Sequence, residues 1–163
     1  MPGSVTSDER PTLGLRLWVY ADTSVLVKRY IRESGSGEAN RVTSARDVVT
    51  SALTSVEIVS ALFAKRRGGS LSARSLETAL ARHENEKRHW TVVELTPLIL
   101  ARAEDIIRRV SARTADAIHV ASAAFFSEAT RARLPVATAD ARQRQSAEAL
   151  GMQVLWVGAP RRR

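Results

Sequence analysis

The sequence contains no cysteine. That excludes a disulfide framework, a zinc–thiolate site and a thiol nucleophile, and it fits a reducing compartment. Aromatic residues are scarce, at 5%, so a base-stacking platform for single strands is not expected. No apolar run approaches the roughly 18 residues that a membrane helix needs. The stretch from Met1 to Gly14 is polar, carries Pro, Gly and Ser, and lacks the apolar segment of an export signal. A cytoplasmic, unexported chain is therefore expected. Internal repeats and low-complexity tracts are also missing.

What is present suits a single globular domain. The chain has 163 residues, of which 44% are hydrophobic, enough for one domain to bury a real core. Residues 1–14 are expected to be a flexible extension, 15–158 the folded domain and 159–163 a basic tail. The net charge is +8, and a basic surface attracts polyanions. The charge is spread over Lys65-Arg66-Arg67, Arg108-Arg109, Arg131/Arg133, Arg142/Arg144 and Arg161-Arg162-Arg163. No helix concentrates it as a basic-region DNA reader would, and on charge alone simple solvation of an Ala/Arg-rich surface is the favoured explanation.

Strand-like and helix-like stretches alternate. Leu15–Ala21 reads as a strand ending at Asp22, and the spacing of Val25, Leu26, Arg29 and Tyr30 predicts a helix to Arg32. Ser34–Gly37 is a break, followed by a helix over Glu38–Arg46. Val48–Ala52 is a strand. Thr54–Arg67 is a helix stopped by Gly68-Gly69. Ser72 caps a helix to Arg88, Thr91–Leu95 is a strand, and Pro97 opens a helix to Val110. Helix Thr114–Ser127, strand Pro135–Thr138, helix Ala139–Leu150 and strand Met152–Val157 complete the chain. Such alternation requires crossover connections, hence an α/β fold with a mostly parallel sheet covered on both faces.

In open parallel sheets, ligands bind beyond the carboxyl ends of the strands. Asp22 and Asp140 follow strands, while Glu57 and Asp116 lie in first turns of helices. Their flanks are apolar, and isolated charge there is costly. Four converging carboxylates would need a divalent cation, and hard oxygen ligands select Mg²⁺ or Mn²⁺. Singly, each acid also reads as a helix cap or a favourable charge on a helix dipole. His119, one turn after Asp116, is either a base or ligand or a structural histidine at the core edge; its apolar neighbours favour the second. His83 and His89, near a charged helix end, are expected to be solvated, and Lys28 to be a surface lysine rather than a phosphate ligand.

Four segments carry a resemblance to a known family. They are Tyr20–Lys28 (YADTSVLVK), Ser55–Leu62 (SVEIVSAL), Thr114–Ala123 (TADAIHVASA) and Val136–Asp140 (VATAD). In this order and spacing the sequence resembles the PIN-domain ribonucleases, especially VapC toxins of toxin–antitoxin pairs, from about Leu15 to Val157. The resemblance implies a three-layer α/β/α fold. It implies that Asp22, Asp116 and Asp140 hold the metal, that Glu57 completes the acidic pocket, in part through water, and that Thr23, Ser24 and Thr138 orient ligands or water. It further implies endonucleolytic cleavage of RNA, a homodimer, and a cognate VapB-like antitoxin. Lys65, Arg66, Arg67, Arg108, Arg109 and Arg113 are the candidate RNA-binding residues around the rim. The longer N-terminal stretch and the strongly basic composition depart from the family pattern. Two alternatives stand beside this one. A haloacid-dehalogenase-like phosphatase would want Asp-x-Asp-x-Thr after the first strand, but Ser24 occupies the third position. A non-catalytic binding module would have no use for the intact acidic quartet.

Overall fold

The computed structural model describes residues 17–158. The expected extension at 1–14, the first two residues of the expected opening strand and the basic tail at 159–163 lie outside the described residues. Five strands, β1 (Trp18–Ala21), β2 (Asp47–Ser51), β3 (Thr91–Val93), β4 (Val136–Thr138) and β5 (Val154–Trp156), form one sheet in the order β3-β2-β1-β4-β5. Every neighbouring pair is parallel. β1 is central, and its Tyr20 is registered with Val49 on one side and Val136 on the other.

Among the described residues seven helices connect and cover the sheet: α1 (Thr23–Leu26), α2 (Ser36–Ser44), α3 (Leu53–Arg67), α4 (Ala73–Glu86), α5 (Pro97–Val110), α6 (Thr114–Thr130) and α7 (Ala141–Ala149). Successive strand residues point to opposite faces, so β1 feeds two cores. Val19 and Ala21 join Leu26, Ile58 and Leu62 on one face. Tyr20 joins Ile99, Val120 and Phe126 on the other. Both layers are closed, as a parallel sheet requires. No helix among the described residues is long and apolar enough to cross a membrane.

Three local readings need correction. The helix expected over Asp22–Arg32 is only α1 followed by a 3-10 turn, Val27–Arg29. Val25, Leu26 and Val27 are buried in succession, which one face of a regular surface helix cannot achieve. α2 begins inside the expected Ser34–Gly37 break, with Gly35 preceding it at φ 84°. A Cβ at Gly35 would stand 2.3 Å from the Val157 carbonyl oxygen, so glycine is required there by both conformation and space. His83 is fully buried rather than solvated. Its Nε2 pairs with the Ser55 hydroxyl at 2.9 Å, and its ring packs edge-on against Tyr30.

Candidate active site

The carboxyl edge of the sheet centres on Asp22, the residue at which β1 ends. The chain leaves β1 in extended conformation, and Asp22 caps α1 by accepting from the Val25 amide through Oδ1 at 3.1 Å. Two hydroxyls complete its shell. Ser24 Oγ donates to Oδ1 at 2.6 Å, and Thr138 Oγ1 donates to Oδ2 at 2.5 Å. Each hydroxyl also accepts from the loop that follows β4. Ser24 Oγ takes the Ala139 amide at 2.8 Å, and Thr138 Oγ1 takes the Asp140 amide at 3.0 Å. The two side chains thus bolt the β1 and β4 exits together, and one carboxylate is fixed at the joint. Asp22 is 3% exposed. Burial raises its pKa, against the opposing effects of the nearby His119 and of these hydrogen bonds.

Asp116 lies in the first turn of α6, half-buried. Burial raises its pKa, and the negative charges of Asp140 and Asp22 raise it further. Asp140 precedes α7 and is exposed. Its Oδ1 accepts from the Arg142 amide at 2.7 Å and from the Gln143 amide at 3.4 Å, so the helix-cap reading is correct as local structure. The three aspartates therefore share one electrostatic environment, and none has a salt bridge among the described residues.

Glu57 belongs to a separate chain of contacts. Thr23 Oγ1 donates to its Oε2, and His119 Nε2 donates to the same oxygen at 2.8 Å. On the other side of the ring, Tyr20 and His119 Nδ1 are 2.9 Å apart. Tyr20 is wholly buried, and burial, helped by the charges of Asp22 and Glu57, raises its pKa well above the ordinary phenol value. Its O–H is therefore intact and donates to Nδ1, leaving the ring's proton on Nε2 for Glu57. Burial pushes the Glu57 pKa up, but the hydrogen bonds from His119 and Thr23 bring it below the ordinary value.

A divalent cation suits this donor set in type and charge: oxygen ligands, with three aspartates that form no salt bridge among the described residues. The spacing is less complete. Among the described residues, no three acidic or histidine side chains stand close enough together to hold one ion as placed, and Asp140 is engaged instead in capping α7.

A sequence profile of the PIN domain matches residues 19–149. The chain belongs to the PIN-domain family. The parallel five-stranded sheet is the fold expected of it. No curated protein sequence matches significantly. Among solved structures, the chain is similar to FitAB bound to a DNA fragment, with 17% identity, a TM-score of 0.65, and 88% of this chain and 98% of that one covered. The DNA-bound VapBC of Salmonella typhimurium gives 15%, 0.60, 86% and 98%. VapC20 of Mycobacterium tuberculosis, described as a toxin cleaving the sarcin–ricin loop, gives 19%, 0.58, 78% and 94%.

Within this PIN domain, Asp22, Asp116 and Asp140 and the hydroxyls of Thr23, Ser24 and Thr138 gather at the carboxyl edge of the sheet, with Glu57 beside them. The basic candidates scatter. Lys65, Arg66 and Arg67 end α3, 8–10 residues beyond Glu57 and therefore about 12–15 Å along the helix. Lys65 is paired with Glu33 at 2.8 Å. Arg108 is paired with Glu104 and Asp105, and Arg109 lines a separate hollow beside Arg102 and Glu128. Arg113 alone lines a cavity that also contains one of the aspartates, Asp116. Lys28 is paired with Glu33 at 2.8 Å. Sequence reasoning set His119 aside as a core-edge residue; it is buried, yet it links Tyr20 to Glu57. The available signals were its one-turn spacing from Asp116 and a tyrosine two residues before Asp22. Arg142, which lines the same cavity as Arg113, had no signal beyond its charge.

Proposed function

We propose that this PIN domain, spanning residues 15–158 as one nuclease unit, is an endoribonuclease dependent on Mg²⁺ or Mn²⁺, and the toxin of a VapBC-type pair. The observation that carries this reading is the group of mutually repelling aspartates, Asp22, Asp116 and Asp140, at the ligand-binding edge of the sheet in a chain of net charge +8. In this reading these three residues hold the ion, with Glu57 acting through water. A bound ion would neutralise charge on the phosphodiester and lower the pKa of a bound water. Asp22 brings a carboxylate whose orientation is preset by Ser24 and Thr138. Glu57, oriented by Thr23 and His119 and ionised at neutral pH, is the group suited to accept a proton from an attacking water. Thr23, Ser24 and Thr138 orient the carboxylates.

Arg113 is the basic residue best located to meet the RNA backbone. Arg66, Arg67 and Arg109 would touch only strand that extends well beyond the site, and Lys65 and Arg108 would first have to leave their carboxylate partners. A VapB-like antitoxin and a homodimer are the proposed protein partners, in the cytoplasm. The likeness to toxin–antitoxin complexes supports this, as do Val56 and Phe63, apolar residues left 68% and 43% exposed on one side of α3. Membership of the PIN family favours the nuclease over the phosphatase and the binding module.

The test is cleavage of structured RNAs by the purified full chain, with Mg²⁺ and with chelator, beside Asp22→Asn. Cleavage that needs the metal and is lost in the variant is expected. Metal-independent cleavage, or full activity in the variant, would rule the mechanism out.

A further inference from the structure

We propose that the cavity between the α5–α6 connection and α7 is a subsite for the nucleotide beside the scissile bond of a single-stranded RNA, with Arg113 and Arg142 clamping its phosphate. This rests on the nuclease reading above and adds to it where the strand lies.

The cavity measures about 430 Å³, and its walls include Ser111, Arg113, Asp116, Arg142, Gln145 and Ser146. That volume falls within the roughly 300–1,000 Å³ of small-ligand sites. Asp116 belongs to both the cavity and the acidic group, so a ligand lying in the hollow is continuous with the reacting centre. The arginines decide its chemistry. Arg29, Arg41, Arg82, Arg102, Arg108 and Arg144 are each paired with a carboxylate. Among the described residues Arg113 and Arg142 form no salt bridge, and they line the same hollow. Two guanidinium forks at one site, neither held in a salt bridge, suit an oxyanion, above all the oxygens of a phosphate.

The carboxylates nearby make those charges necessary. A phosphodiester approaching Asp22, Asp116 and Asp140 is repelled, and cations at the adjoining position offset that repulsion. The remaining polar lining suits a sugar. Ser111 sits at φ 53°, in the left-handed conformation that ends α5, and its hydroxyl and the Gln145 amide make no hydrogen bond among the described residues. An acidic side chain from a protein partner would satisfy the arginines but leave these groups and much of the volume unused.

The experiment measures binding of a fluorescent, short, mixed-sequence single-stranded RNA to the full chain in chelator, across a salt series. Arg113→Ala and Arg142→Ala are compared with wild type and with Arg144→Ala, whose guanidinium is already held by Glu148 and lies over the Trp156 ring. Each of the first two should weaken binding roughly 10-fold and reduce the slope of log affinity against log salt by about 0.7. Arg144→Ala should match wild type. With Mg²⁺ present, the two variants should raise KM with little change in kcat. Unchanged affinity and slope in a wild-type background that binds and cleaves RNA would overturn the subsite alone. A wild-type chain that neither binds nor cleaves RNA would sink the nuclease reading, and the subsite with it. An oligoglutamate peptide that binds as tightly as RNA, and loses as much in the two variants, would overturn the nucleic-acid assignment.

Discussion

Tyr20→Phe removes one oxygen from the centre of the molecule and tests whether the contacts leading to Glu57 act as a unit. The ring is retained, so packing against the core is preserved and no cavity the size of a side chain opens. The cost comes from the partner left behind. His119 is 3% exposed, and its Nδ1, 2.9 Å from the lost hydroxyl, is left as a buried acceptor without a donor. Such a group costs about 1–3 kcal/mol. For a domain of this size each kcal/mol lowers Tm by roughly 2–4 °C, so a fall of roughly 2–12 °C is expected. Urea denaturation of the metal-free chain gives the free energy directly. The sharper measurement is a double-mutant cycle with Glu57→Gln. Tyr20 and Glu57 do not touch, but both bind the same imidazole, so their effects should depart from additivity by about 0.5 kcal/mol or more. A Tyr20→Phe chain as stable as wild type, with strictly additive effects, would refute the view that Tyr20 fixes the ring that fixes Glu57.

Asp22→Asn should stabilise the metal-free protein at neutral pH while abolishing cleavage. The Asp22 pKa is raised on folding, so its contribution to stability is fully present below the unfolded value of about 3.9 and is lost as pH rises through the folded value. The variant's gain in Tm should therefore be largest at neutral pH and shrink toward about pH 4; a gain independent of pH would contradict the linkage. Mg²⁺ at about 100 times its Kd should stabilise wild type by roughly 2.7 kcal/mol and the variant far less, read by the same thermal melts; equal stabilisation would remove Asp22 from the ion's ligands. Ile58→Ala, in the wholly buried core between α3 and the sheet, should cost about 2–5 kcal/mol by urea titration. Lys65→Ala breaks only a partly exposed pair and should cost less than about 1 kcal/mol, with a smaller loss of RNA affinity than Arg113→Ala; the reverse order would move the RNA path to the end of α3.

The features legible in the sequence were those set by local pattern. A β-rich run that stops at Asp22-Thr23-Ser24 announces a strand exit with a cap, and both are found. Ser72 caps its helix and Pro97 stands in the first turn of the next, where the spacing places them. Long-range partnerships were not legible. His119 sits among apolar neighbours, and its role depends on Glu57, 62 positions away, and Tyr20, 99 positions away. His83 lies amid charged residues, yet its side of α4 faces the core, so charge nearby was a poor guide to exposure. The placement of the basic residues was hidden for a related reason. Adjacent arginines in sequence need not share a surface, whereas Arg113 and Arg142, 29 positions apart, share a cavity.

The hydroxyl bolt between Asp22 and Thr138 joins residues 116 positions apart. Contacts of such separation are closed late, because the entropy of the intervening loop must be overcome before they contribute. During synthesis, β1 and α3 emerge long before β4, and α6 must also have emerged before His119 can meet Glu57. A ribosome-bound chain thus carries Asp22 without Thr138 and Glu57 without its histidine through most of translation. The geometry is complete only once the strand ending at Thr138 has emerged and inserted beside β1, so a chain truncated before β4 lacks it.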